Sequence, residues 1–225
     1  RSLSGSCIRR IHTILKASYS QAIAQGALAN NPFSAAKQPK KERSKAVPFE
    51  NAEVAQILKI VNTESVNPLL EPALLIAFHT GLRLNEITGL QWQDIVLEYS
   101  DNKRPYIRVR RAVSRDYDAT KIIYSKTKTG IVRDVSISSE LATYLKNYKQ
   151  VQAKQLPQTP NTPVICDMSG GIMHGDILSK ALRRLMSKHG MREELTWHST
   201  RHTHITELLI YGTPIEVVRV RAGHS

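Results

Sequence analysis

The apolar spacing of this chain changes period twice, and that alternation limits the folds open to it. In "ENAEVAQILKIVN" and "PLLEPALLIAFHTG", which follow Pro48, apolar residues recur at helical intervals. Gly81 breaks the second run before a further short helix, "LNEITGLQW". The next stretches, "YIRVRRAVS" and "KIIYSKTKTGIVRDVSI", are β-branched and partly alternating, which predicts strands with "KTG" at a hairpin turn. The helical period returns in "SSELATYLKNYKQVQAKQ", where the serines suit an N-cap. It continues in "GDILSKALRRLMSKHG", "WHSTRHTHITELLIYG" and "PIEVVRVRAGH", the last with Pro214 in its first turn. Between these, "VICD" reads as a short buried strand, and no internal repeat is evident. The expected class is α+β, mainly α with a small antiparallel β-sheet.

Before Pro48 the pattern differs. Ile8, Ile11, Ile14 and Leu15, then Tyr19, Ala22 and Ile23, fall at helical spacing, and the helix stops at Gly26 or in "NNP". One helix cannot bury its own stripe, so residues 1–33 read as the end of a larger domain. The tract "SAAKQPKKERSKAVP" is basic, apolar-poor and bracketed by prolines, which predicts a linker over 34–47. Residues 48–225 then form the main domain.

Charge narrows the partners. Lysine and arginine number 32 against 19 acidic residues, for a net charge of +13. Up to Lys45 there are nine basic residues and a single acid, Glu42. Such an excess suits a polyanion, because each cation that neutralises a phosphate releases counterions. A solvated basic surface has the same composition. No apolar run is long enough to cross a bilayer, and the first residues carry no apolar signal segment. Cys7 and Cys166 have no metal-ligand spacing, in keeping with a reducing cytoplasm.

Several stretches hold chemistry-bearing residues. Arg83 follows the glycine break, and Glu86 lies one helical turn on, where it can accept hydrogen bonds and hold neighbouring cations in place. A surface ion pair would have the same spacing. Lys126 and Lys128, two apart, share a face of a regular strand and reach outward from the hairpin, as a proton donor or phosphate contact would. A solvated hairpin would look alike. His198 and His202, with His204, have a spacing that a zinc ion could use. The competing reading pairs His198 with Arg201 on one helical face, offering a neutral hydrogen-bonding group and a planar cation to a phosphoryl oxygen. His202 and His204 are then structural. His224 follows Gly223 in "RAGHS".

Taken in order, "TGLRLNEITGLQW", the lysine of the β-hairpin, "HSTRHTH" and "AGHS" resemble the tyrosine recombinase family, in particular phage and conjugative-transposon integrases. The resemblance runs from about Pro48 to Ser225, and its most specific part is H-x-x-R-H-T-H. It implies that the histidine cluster serves a phosphate and not a metal. It further implies that Arg83 and Arg201 clamp the scissile phosphate, with Lys128 as general acid and Lys126 the alternative. His198 and His224 complete the set, and Glu86 supports it. The segment before Pro48 resembles the end of that family's core-binding domain. Lys37, Lys40, Lys41, Arg43, Lys45 and Lys126 are then DNA contacts. The nucleophilic tyrosine is expected beyond Ser225, since Tyr211 precedes the G-H box and sits on a helix like those packed inside the fold. A chain lacking that tyrosine is expected to be inactive by itself.

The implied activity is DNA integration or excision through a 3′-phosphotyrosyl intermediate, with no cofactor. The implied partners are double-stranded DNA sites, a homotetramer on paired sites and an accessory directionality factor, in the bacterial cytoplasm at the nucleoid. Relaxation of type IB topoisomerase kind and a non-catalytic DNA-binding module are the alternatives.

Overall fold

A computed structural model describes residues 3–38, 40, 47–64, 67–98 and 104–223. The chain divides into two compact units, Arg1–Lys45 and Ala46–Ser225.

In the first unit, helix α1 (Gly5–Ala24) begins where Ser4 Oγ accepts from the Cys7 amide, and the chain turns away at Gly26, φ 74°. A 3-10 turn, Pro32–Ser34, folds back on the helix. Asn31 Nδ2 donates to Lys16 O and Ser20 Oγ, each at 3.0 Å, and the Phe33 ring sits 5.2 Å from that of Tyr19. The segment expected to be linker starts out packed. His12 Nε2 donates to Ala36 O at 3.1 Å while its Nδ1 accepts from Gln38 Nε2 at 2.8 Å. Residue 39 and residues 41–46, with Lys41, Arg43 and Lys45, lie outside the described residues. On α1, Ile8, Ile11 and Ile14 are exposed.

The second unit is built around α3. Helices α2 (Asn51–Thr63) and α3 (Leu70–Thr80) lead to a four-residue α4 (Leu84–Ile87). The strands are β1 (Ile95–Val96), β2 (Tyr106–Val109), β3 (Ala112–Arg115), β4 (Ile122–Ser125) and β5 (Arg133–Ser136). Helices α5 (Ser139–Ala153), α6 (Asp176–Lys188), α7 (Trp197–Ile210) and α8 (Ile215–Ala222) follow. On α3, Leu70, Ala73, Leu74, Ile76 and Ala77 are all at or below 1% exposure, because α2, α5, α6 and α7 pack around it. Its near-continuous apolar sequence is what contact with four helices demands, with Glu71 and His79 left on the less covered side.

Four local expectations are corrected. The helix expected over 84–92 ends at Ile87: a Cβ at Gly89 would meet Ala112 Cα at 3.0 Å, so backbone lies against backbone there. The run 106–114 is two strands in two sheets. Arg110 Nε and Arg111 Nη2 both reach the buried carboxylate of Asp94, at 2.6 and 3.4 Å. Adjacent residues of a regular strand point to opposite faces, so the pleat breaks where both turn to one acid. The "KTG" turn is no hairpin. β5 pairs antiparallel with β2, and β2 with β1, whereas β4 pairs with β3, so the lysines sit in a loop joining separate sheets. Finally, "VICD" is buried at Val164, Ile165 and Cys166 but forms one isolated bridge, Cys166 with Ile172, beside that of the preceding Pro163 with Gln91.

Candidate phosphate site

Gly81 ends α3 in the left-handed conformation, φ 66°, which favours glycine. A Cβ there would also lie 2.7 Å from His204 Cδ2 on α7. This close approach places Arg83, the N-cap of α4, opposite the first turns of α7. Glu86 Oε2 accepts from the Arg83 amide at 3.0 Å, and its Oε1 from Arg83 Nη1 at 3.1 Å. Thr196 caps α7 by accepting from the His198 amide at 3.2 Å, which fixes the helical phase of Arg201.

A cavity of about 480 Å³ collects the side chains singled out from far-apart stretches: Arg83, Glu86, Lys126, Lys128, His198 and Arg201. The structure therefore brings together six of the expected residues. Lys37 and Lys40 are exposed in the first unit, and His224 lies outside the described residues. A larger groove, about 810 Å³, runs beside α6 and holds Lys180, Arg184 and Lys188. It gathers neither Arg83 nor Arg201, and Lys188 is already paired with Glu64 at 2.8 Å.

Arg201 is 1% exposed. Its Nη1 donates to Gly81 O at 2.7 Å and its Nη2 to Ala222 O, so the fork is fixed by two backbone carbonyls from different elements. Burial, and then the neighbouring Arg83, pull its pKa down to about 10, with Glu86 acting the other way. Near neutral pH it still carries its charge. Glu86 is 1% exposed, and although burial opposes ionisation, the Arg133 hydrogen bonds bring its pKa below the usual carboxylate value. The cavity thus presents fixed cations in a part-enclosed space, where charge–charge interactions outweigh those in water.

The histidines separate by role. His204 Nδ1 donates to Phe78 O at 2.9 Å and its Nε2 accepts from Arg221 Nε at 3.0 Å, which fixes one neutral tautomer. Burial first, and then Arg221, push its pKa down to about 4. With Nε2 facing a guanidinium, this ring is not placed to ligate a cation. The His198 and His202 rings meet edge to face at 4.7 Å. Tyr211 is the C-cap of α7, a helix that packs into the fold through Trp197, Arg201 and His204, and is itself 84% exposed. Among the described residues, no tyrosine lines the cavity.

Sequence reasoning missed Arg133 and Arg221. Arg133 sits on the inward face of β5 with Val135, and an arginine in register with a buried valine was the available signal. Arg221 gave none, because its partners, His79 O, Ser136 O and His204, come from three other elements.

The sequence model of the phage integrase family matches residues 48–225. The chain is 27% identical to the tyrosine recombinase XerC-like protein of Caldanaerobacter subterraneus subsp. tengcongensis, over 99% of this chain and 60% of that protein. It is 24% identical to the ICEBs1 integrase of Bacillus subtilis, over 99% of this chain and 59% of that one. It thus spans about 60% of the length of these curated relatives. The fold is that of the Tn1549 transposon integrase solved with circular intermediate DNA, at a TM-score of 0.79, 21% identity, and coverage of 100% of this chain and 73% of that one. It is also that of a lambda integrase solved as a tetramer on a Holliday junction, at a TM-score of 0.71, 20% identity, and coverage of 96% and 58%. With the family model covering most of its residues and the two arginines meeting in one cavity, the chain belongs to the phage integrase family.

Proposed function

We propose that this chain is the phosphoryl-transfer core of a site-specific DNA recombinase of the tyrosine type, one that integrates or excises a mobile element. The observation that carries the reading is the convergence of Arg83, Arg201 and the Lys126–Lys128 loop on one cavity.

Attack on a phosphodiester moves negative charge onto the phosphoryl oxygens, and fixed cations stabilise it most where they need not reorganise. Arg201 is held by two carbonyls, and Arg83 by Glu86. Both keep donors for phosphate oxygens, because a guanidinium has five N–H groups. His198 is proposed to donate to the same oxygens, with His224 as a further member of the set. A tyrosine brought to the cavity from outside its lining displaces the 5′ oxygen. Lys128 gives that oxygen a proton, leaving a 3′-phosphotyrosyl bond and a free 5′-hydroxyl. Lys126 is the alternative acid. Attack by a 5′-hydroxyl of a second site reverses the step without hydrolysis. Since no tyrosine among the described residues lines the cavity, the 225 residues by themselves are proposed to bind DNA without forming the covalent adduct.

The first unit, with Lys37, Lys40, Lys41, Arg43 and Lys45 at its end, is proposed to track duplex phosphates, as its charge allows. The partners in this reading are paired double-stranded DNA sites in the bacterial nucleoid, other copies of the chain up to a tetramer, and an accessory directionality protein.

The test is covalent capture. The full-length protein, incubated with DNA carrying its own recombination sites, should leave a protein–DNA adduct and joined products, and Arg201→Ala should abolish both. Undiminished cleavage by that variant contradicts the assignment. Relaxation of supercoiled DNA without joining of two sites would point to topoisomerase action instead.

A further inference from the structure

Arg133 is almost fully buried, and three of its donors are spent on two elements. Nη1 and Nη2 donate to the two Glu86 oxygens at 3.2 and 2.8 Å, a fork-on-fork pair. Nε donates to the carbonyl of Arg221 at 3.0 Å. Each Glu86 oxygen then accepts two hydrogen bonds, one from Arg133 and one from Arg83, which fills the capacity of a carboxylate.

The contact to Arg221 belongs to a pattern. Three consecutive carbonyls at the end of α8, those of Arg221, Ala222 and Gly223, accept from Arg133, Arg201 and Arg83 respectively. A helix C-terminus carries partial negative charge, so guanidinium groups suit it. The fit leaves no space at the last of the three: a Cβ on Gly223 would lie 2.9 Å from Arg133 Nη1, and its φ is 64°. Arg133 does not line the cavity, yet both arginines that do are tied to the groups it holds.

We infer that Arg133 is a positioning residue for the cavity: by clamping Glu86 and the end of α8 it sets where Arg83 presents its remaining donors. The inference deepens the phosphate-site reading and rests on it. Without Arg133, Glu86 keeps only the Arg83 donors while its burial persists, so its carboxyl takes up a proton more readily. The charged groups facing Glu86 are Arg83 from α4, Arg133 from β5 and Arg201 from α7. Lys126, Lys128 and His198 border the same cavity. A protonated Glu86 loses an acceptor for Arg83, and Arg83 loses its fixed orientation.

The test follows the side-chain Nε–H resonance of Arg83 and the carboxyl carbon of Glu86 by NMR in the 225-residue chain, between about pH 5 and 8. In the wild type both signals should hold constant. In Arg133→Gln the Glu86 carboxyl should titrate inside this range, and the Arg83 signal should move to its solvent-exposed position as pH falls. Arg133→Lys keeps the charge on one nitrogen and should give an intermediate response. It also serves as the variant measured if far-UV circular dichroism shows that Arg133→Gln does not fold.

In the full-length protein, DNA cleavage by Arg133→Gln should fall about tenfold or more at the acid end and recover as pH rises. The double variant with Glu86→Gln should show a flat profile. Arg83 and Glu86 signals that match wild type in both Arg133 variants would overturn the inference. If the wild type fails to cleave DNA while Arg83 still follows the Glu86 titration in Arg133→Gln, positioning stands and the recombinase reading falls.

Discussion

Arg201 donates through Nη1 to the carbonyl oxygen of Gly81 at 2.7 Å, so the second arginine of the site holds the peptide that leads into the first. The same guanidinium reaches Ala222 O, which ties α7, the end of α3 and the end of α8 into one unit. Arg201→Lys offers donors from a single nitrogen and cannot span both carbonyls and a phosphate. DNA cleavage should drop about 10²–10³-fold, the cost of losing an oriented donor from a charge-developing site. Comparing single-turnover cleavage of wild type and variant checks this; rates within a factor of two of each other would reject the geometry.

Gly81→Ala meets two penalties. The left-handed backbone costs an alanine about 1–2 kcal/mol, and the new methyl lies 2.7 Å from His204 Cδ2. Overpacking of that kind adds about 1–3 kcal/mol. The expected loss, about 2–5 kcal/mol, is read from urea unfolding. Adding His204→Ala removes the atom that is met, so the pair should be less destabilised than the sum of the single variants. Strict additivity would show that the contact is not the cause.

His204 makes the fold acid-sensitive. Its pKa is about 4 in the folded chain against 6.5 for a free imidazole. Between those values the unfolded chain binds a proton that the folded one excludes, so stability is fully present above pH 6.5 and drains away as pH falls through about 4. The difference is worth about 3 kcal/mol. Unfolding free energies at neutral pH and near pH 4.5 should diverge more for wild type than for His204→Gln, which cannot titrate. Equal acid losses in the two proteins would remove His204 as the source.

Lys126 and Lys128 are told apart by the leaving group. If Lys128 protonates the 5′ oxygen, Lys128→Ala should cut cleavage about 10²–10⁴-fold. A substrate with a 5′-bridging sulfur needs no proton to depart, so it should restore the rate. Lys126→Ala should lose less and gain nothing from the sulfur. The reverse pattern assigns the acid to Lys126.

The period changes placed most helices close to their observed bounds, because a buried stripe at helical spacing is a local property. Gly81 announced a helix break for the same reason: its backbone requirement belongs to one residue. The chemistry of Arg83, Glu86, Lys128, His198 and Arg201 was legible as residue types in order along the chain. Their meeting in one cavity was decided by α3, which packs against both α4 and α7.

Tertiary structure alone decided the rest. Asp94 draws Arg110 and Arg111 together and splits one β-branched run between two sheets, and nothing in that run names its distant acid. Whether the lysine loop was a hairpin depended on strand partners, which alternation leaves open. Arg133 looked like one more basic residue until the fold buried it between Glu86 and the end of α8. Spacing along a chain encodes which face is apolar; which buried charge answers which is encoded only in how those faces pack.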